Sequence, residues 1–100
     1  MDRMAGMAVF TKVVSAGSFS AAARELELSQ ASVTKQIKEL ESWLGARLLN
    51  RTTRRLSLTE VSTGFYERAV RILDTVEEAR SATGALQTEP RGSMLIVLLD

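Results

Sequence analysis

The sequence predicts a mainly α fold: three short helices, a two-stranded β-hairpin and one long final helix. Three observations carry that prediction. Apolar residues recur at spacings of three and four through most of the chain. Gly17 and Gly45 stand where the first and third of these runs stop. One short stretch, Leu56-Ser57-Leu58, switches to period-two alternation.

Met4 to Ala16 reads as the first helix, with Met7, Phe10 and Val14 on its apolar stripe and Val9 and Val13 widening it. Gly17 ends it, because glycine accepts the left-handed conformation there. Ser18 or Ser20 can cap a second helix, "FSAAAREL", whose alanines favour helix and let a neighbour come close. The following break, "ELELSQ", holds neither Gly nor Pro. Ser29 then caps a third helix running to about Leu44. Val33, Ile37, Leu40 and Leu44 form its buried face, while Gln30, Ser32, Thr34, Lys35, Gln36 and Lys38 form a face rich in hydrogen-bond donors. Two short helices around a tight turn, the second with one polar face, make a helix-turn-helix. Amides, hydroxyls and amines on that face suit base edges and phosphates.

Leu48 to Leu58 reads as a hairpin with Thr52, Thr53 and Arg54 near its tip, Leu56 and Leu58 turned to the core and Ser57 outward. Arg51, Arg54 and Arg55 fall within five residues and have no acid beside them. Like charges on facing strands repel, so such a cluster is expected to meet an anion. A hairpin after a helix-turn-helix is a wing, and its guanidinium groups suit a phosphate ridge or a narrow minor groove. The predicted fold is thus a winged helix-turn-helix followed by a long linker helix.

Thr59 can cap that last helix, with Glu60 at its positive end. Phe65, Ala69, Ile72, Val76, Ala79, Thr83 and Leu86 alternate steps of four and three, a heptad seam. Tyr66, Val70 and Leu73 make a second stripe beside it, so that one stripe can dock on the domain and the other meet a second chain. A helix from Thr59 to Gln87 spans roughly 40 Å, too long for so small a domain to cover, which predicts a homodimer through this helix. Pro90 and Gly92 mark a break, and Met94 to Leu99 is an apolar run suited to a buried strand. The domain reading is therefore 1–58 winged helix-turn-helix, 59–88 linker and dimerisation helix, and 89–100 hinge and first strand of an absent domain, or an extension.

The 100 residues suffice for one small domain with an appendage. The chain has no cysteine and no histidine, which removes thiolate metal sites, the commonest metal ligand and the commonest general base. No metal or cofactor is expected. With neither a signal-peptide pattern nor an apolar run of membrane-spanning length, a cytoplasmic protein without membrane contact is expected. The net charge of +1 hides an asymmetry. Gln30 to Leu58 holds six basic and two acidic residues, a local +4, and the remainder holds seven basic and ten acidic, or −3. That patch fits a polyanion, though a merely solvated surface has the same composition. A protein-interaction module is one rival reading. An enzyme is disfavoured, since no glycine-rich phosphate loop or convergent carboxylate pair is present, and Glu39 and Glu41 face different ways on one helix. RNA recognition would favour exposed aromatics, whereas Phe10, Phe19, Trp43, Phe65 and Tyr66 fit core or seam positions.

The motifs "AGSFSAAA", "LSQ..V..QI..LE" and "LG..L..R..R...LT", in that order, resemble the N-terminal DNA-binding domain of LysR-type bacterial transcriptional regulators over about Met1 to Gln87. The resemblance implies sequence-specific binding of double-stranded DNA by a dimer. It places Ser29, Gln30, Ser32, Thr34 and Lys35 at the start of a recognition helix in the major groove, with Gln36 and Lys38 at or near the backbone. Arg51, Thr52, Thr53, Arg54 and Arg55 would form the wing at the minor groove and phosphates, and Ser18 and Ser20 would add phosphate contacts at the second helix. It further implies a C-terminal domain, lacking here, that binds a small-molecule effector, and tetramers in a full-length protein. Ala31 replaces the usual proline, Thr34 the usual serine and Lys35 the commoner arginine, which loses a bidentate fork.

Overall fold

The computed structural model of the chain describes residues 2–51 and 56–88, with side chains described for 2–50 and 56–84. Four helices and one hairpin follow in the predicted order: α1 Arg3–Ala16, α2 Phe19–Leu26, α3 Gln30–Leu44, β1 Leu49–Arg51, β2 Leu56–Leu58 and α4 Glu60–Thr88. The expectations for the hairpin tip and for residues 89–100 lie outside the described residues.

The helix ends follow from local chemistry. Asp2, Ser18 and Ser29 each turn a side-chain oxygen onto the N–H three residues on, at 3.1 Å in all three cases, capping α1, α2 and α3. Gly17 and Gly45 close α1 and α3 with φ of 83° and 68°. The turn between α2 and α3 has no glycine, and there Glu27 itself takes the left-handed conformation, with φ 58° and ψ 42°. A Cβ makes that conformation costly, by about 1–2 kcal/mol.

Val9, Phe10 and Val13 of α1, Ala22 and Ala23 of α2, and Val33, Ile37 and Leu40 of α3 form one buried cluster with Leu48, Leu49 and Ala69. The two alanines let α1 and α3 approach α2 closely, as their positions in the sequence suggested. Phe10 joins α1 to α4, with its ring centroid 5.6 Å from Phe65 and 6.2 Å from Tyr66. Tilted and edge-on rings at such separations attract beyond simple burial.

The hairpin is antiparallel, with Leu49 opposite Leu58, Asn50 opposite Ser57 and Arg51 opposite Leu56. Leu56 is half-buried against the core, but Leu58 is 40% exposed, which corrects its expected inward position. Leu49 occupies the buried side of that pair, and Leu58 lies at the rim. Trp43 is a second correction: it is 46% exposed rather than in the core, with the Arg3 guanidinium 4.8 Å above its ring. It sits next to Leu44 but off the Val33–Ile37–Leu40 stripe, so the core never reaches it. A lone aromatic already covered by an arginine does not make a platform for successive bases.

The third correction concerns the seam of α4. Ala69 is fully enclosed within the protomer, and Phe65 packs on the protomer's own core. Ala69 is thereby left no surface for a second chain, and Phe65 is partly covered. Beyond them Ile72 and Val76 are 40% and 48% exposed, and Ala79 and Thr83 are also exposed. The first turns of α4 thus belong to the domain, and the rest projects from it, giving the described structure a longest extent of 57 Å against 26 and 21 Å.

Candidate nucleic-acid interface

The exposed side of α3 is a continuous stripe. Ala31, Thr34, Lys35, Lys38, Glu39 and Ser42 line one open depression of about 470 Å³. These spacings of three and four return to the same side of a helix at about 100° per residue. Gln30 is exposed at the helix start. Ser32 and Gln36 are half-buried, as Thr34 is, but unlike Thr34 they do not line the depression. The predicted recognition residues therefore separate into a stripe centred on Thr34, Lys35 and Lys38 and a flank holding Ser32 and Gln36.

Ser29 is committed to the fold. Its hydroxyl accepts the Ser32 N–H at 3.1 Å and donates to Ser32 Oγ at 3.0 Å. Ser18 is committed likewise, since its Oγ accepts the Ala21 N–H and lies 3.4 Å from Ser20 Oγ. What these two positions offer a ligand is chiefly the positive end of α2 or α3 that they cap.

The hairpin stands beside the C-terminal half of α3. A cleft of about 200 Å³ between them is lined by Ile37, Lys38, Glu41, Arg47 and Leu49. Lys38 borders both this cleft and the depression on α3, so the two features adjoin on one side of the molecule. Thr52, Thr53, Arg54 and Arg55 lie outside the described residues, as does the side chain of Arg51; the structure fixes the strands that carry them.

Two side chains hold the hairpin's root. Glu41 Oε2 accepts the N–H of Leu48 at 2.7 Å and of Leu49 at 3.2 Å. Thr59 Oγ1 donates to the Arg47 carbonyl at 2.7 Å and accepts the Ser62 N–H at 3.2 Å, and the Thr59 N–H donates to the Leu48 carbonyl at 3.2 Å. Thr59 therefore caps α4 and ties it to the hairpin at once. Sequence reasoning found the cap but missed both ties. Glu41 read only as one of two acids in a basic stretch, and its position two turns before the hairpin was the signal available.

The charges near the cleft are Lys35, Lys38 and Arg47 against Glu39 and Glu41. Among the described residues the ion pair is elsewhere, between Arg80 and Glu77 on the exposed surface of α4 at 2.7 Å. Hydrogen bonding and attraction from Arg80 hold the Glu77 carboxyl below its ordinary range. Among the described residues no group of acidic side chains is arranged to hold a metal ion, and no helix is long and apolar enough to cross a membrane.

Comparison with known proteins places this architecture. Residues 4–62 match the family described as "Bacterial regulatory helix-turn-helix protein, lysR family". The chain belongs to the LysR family. Its kinship is with regulators rather than enzymes. It is 52% identical over 84 residues to an HTH-type transcriptional regulator of Xanthomonas campestris pv. campestris (strain 8004), covering 84% of this chain and 24% of that protein. It is 40% identical over 96 residues to the HTH-type transcriptional activator AaeR of Escherichia coli (strain K12), covering 96% of this chain and 31% of that protein. The LysR-family chain thus spans about a quarter to a third of the length of these relatives. Among solved structures it is similar to the BenM_DBD/catB site 1 DNA complex, at 32% identity and a TM-score of 0.81, covering 87% of this chain and 97% of that one. It is also similar to the CbnR_DBD-DNA complex, at 35% identity and a TM-score of 0.79, covering 85% of this chain and 97% of that one.

Proposed function

We propose that this LysR-family chain is the unit of a transcription regulator that binds specific sequences in double-stranded DNA as a dimer. The observation that carries the reading is the stripe of Thr34, Lys35 and Lys38 on the second helix of the helix-turn-helix, adjoining the root of a hairpin rich in arginine. Its likeness to units solved in complex with DNA supports the same partner.

In this reading α3 lies in the major groove, where Gln30, Thr34 and Lys35 reach base edges. The hairpin tip, Arg51 to Arg55, enters the adjacent minor groove and grips phosphates, favouring narrow A·T-rich segments. Ser18 and Ser20 present the start of α2 to the backbone. Ile72, Val76, Ala79, Thr83 and Leu86 meet a second copy, which sets two recognition helices on one face of a site with partial dyad symmetry. In a full-length regulator a further domain would sense a small-molecule effector and join dimers into tetramers. Such a protein acts in the cytoplasm, where bacterial DNA lies.

The test is a duplex titration followed by fluorescence anisotropy over a series of salt concentrations. Affinity is expected to fall steeply with salt. Replacing Arg54 and Arg55 together by Ala should weaken binding to most sequences. Replacing Gln30 or Lys35 should change which sequences are preferred, at about 1–3 kcal/mol per lost base contact. A wing double variant that binds its site unchanged at moderate salt overturns this division of roles. Absence of any salt-dependent binding favours a protein partner instead.

A further inference from the structure

The cleft between α3 and the hairpin contains one cation that nothing above assigns. Arg47 lies in the short connection between Gly45 and β1, and its side chain is exposed. Together with Lys38 it lines the cleft, and the same pair lines a further, open depression beside it with Glu41, Ser42, Gly45 and Ala46. Among the described residues neither cation has a side-chain partner.

The backbone of Arg47 is fixed although its side chain is free. Thr59 Oγ1 donates to its carbonyl at 2.7 Å, and Glu41 takes the N–H of the next residue, Leu48, at 2.7 Å. A guanidinium on a held backbone loses less freedom on binding than one on a loose loop. Glu41 also lines the cleft and would by itself repel an anion. Its Oε2 is turned onto two backbone N–H groups, and two cations outnumber it.

The position of this cleft suggests its ligand. If α3 enters a major groove and the hairpin tip the adjacent minor groove, the sugar–phosphate ridge dividing those grooves must cross the ground between helix and hairpin. That ground is the cleft. We propose that Arg47, with Lys38 in the same lining, seats a backbone phosphate of duplex DNA there. The inference rests on the DNA-binding reading above and adds a residue and a contact to it. A planar fork suits a phosphate oxygen pair, and such a contact positions the protein without reading sequence.

The experiment uses the 100-residue chain and its Arg47→Gln and Arg47→Lys variants, with far-UV circular dichroism as the check on folding. Each is titrated into a duplex selected by the parent chain from a random-sequence pool, taken as the specific duplex, and into an unselected random-sequence duplex, across a series of salt concentrations. The slope of log K against log salt should become shallower by about one unit in Arg47→Gln. Affinity should fall by the same factor for both duplexes, and Arg47→Lys should keep most of the slope. A folded Arg47→Gln variant with the parent's slope and affinity overturns the inference and leaves the DNA-binding reading intact. So does a loss confined to the specific duplex, which would make Arg47 a base reader. A parent chain with no salt-dependent duplex binding overturns both readings.

Discussion

Glu41 accepts the backbone N–H of Leu48 at 2.7 Å, so a side chain of α3 holds the residue at which the hairpin begins. The same oxygen takes the N–H of Leu49, and both leucines are buried. Water is therefore a poor substitute for the carboxylate.

Glu41→Ala is expected to cost about 2–3 kcal/mol, because hydrogen bonds to a charged acceptor are worth more than neutral ones and their loss strands buried donors. Glu41→Gln keeps an acceptor oxygen and should cost about half as much. Urea unfolding midpoints measure both. An Ala variant as stable as the parent would show that the tie contributes nothing.

Ser62 is enclosed completely, and among the described residues its hydroxyl has no hydrogen-bond partner. Ser62→Ala removes that hydroxyl and should raise stability by up to about 1 kcal/mol, since a buried unpaired polar group costs about 1–3 kcal/mol. A lower thermal midpoint in the variant would show that the hydroxyl is satisfied in solution.

Glu27 and Gly17 should respond with opposite signs. Glu27 holds φ 58° with a side chain, so Glu27→Gly should be neutral or stabilising by up to about 1 kcal/mol. Gly17 holds φ 83°, and a Cβ there would touch nothing within 4 Å, so Gly17→Ala should lose about 1 kcal/mol through backbone strain alone. Chemical denaturation of the two variants side by side tests the pair.

Val76 and Ala69 share the heptad spacing but not the environment. Val76→Glu, on the exposed part of α4, should weaken self-association on the order of tenfold or more without loss of helix. Ala69→Leu overfills the protomer's own core and should cost about 1–3 kcal/mol of stability. Sedimentation velocity and thermal unfolding separate these outcomes. Unchanged association in Val76→Glu would remove this face from the dimer.

Glu77 supplies the pH dependence that the structure allows. Its carboxyl is held below the ordinary range by Arg80, so the pair's contribution is present above the unfolded-state value and disappears as pH falls through the lower folded-state value. Both groups are fully exposed, so the effect should be small and screened by salt. Amide protection factors near Arg80, with the intrinsic exchange rate at each pH divided out, should fall in acid in the parent and stay level in Glu77→Gln.

Element order and most boundaries were legible because they rest on local rules. Ser18 and Ser29 cap, Gly17 and Gly45 stop, and the Val33–Ile37–Leu40 spacing names the buried side of α3. What escaped is set by tertiary contact. Glu27 takes a glycine's conformation with no sequence mark. A heptad stripe does not say which chain covers it, and here the domain itself claims Phe65 and Ala69. Trp43 fits a core or seam position in the sequence, whereas its place beside the apolar stripe leaves it with Arg3. Arg47 counted toward the basic patch, but only the cleft distinguishes it from other surface cations.

The hydroxyl of Thr59 has a mechanical consequence. One oxygen is bonded to the connection before β1 and to the first turn of α4. A swing of the projecting rod about its base must either break that bridge or drag the hairpin along. Any torque applied at the far end, some 40 Å away by helix rise, would then register as a tilt of the arginine-bearing loop.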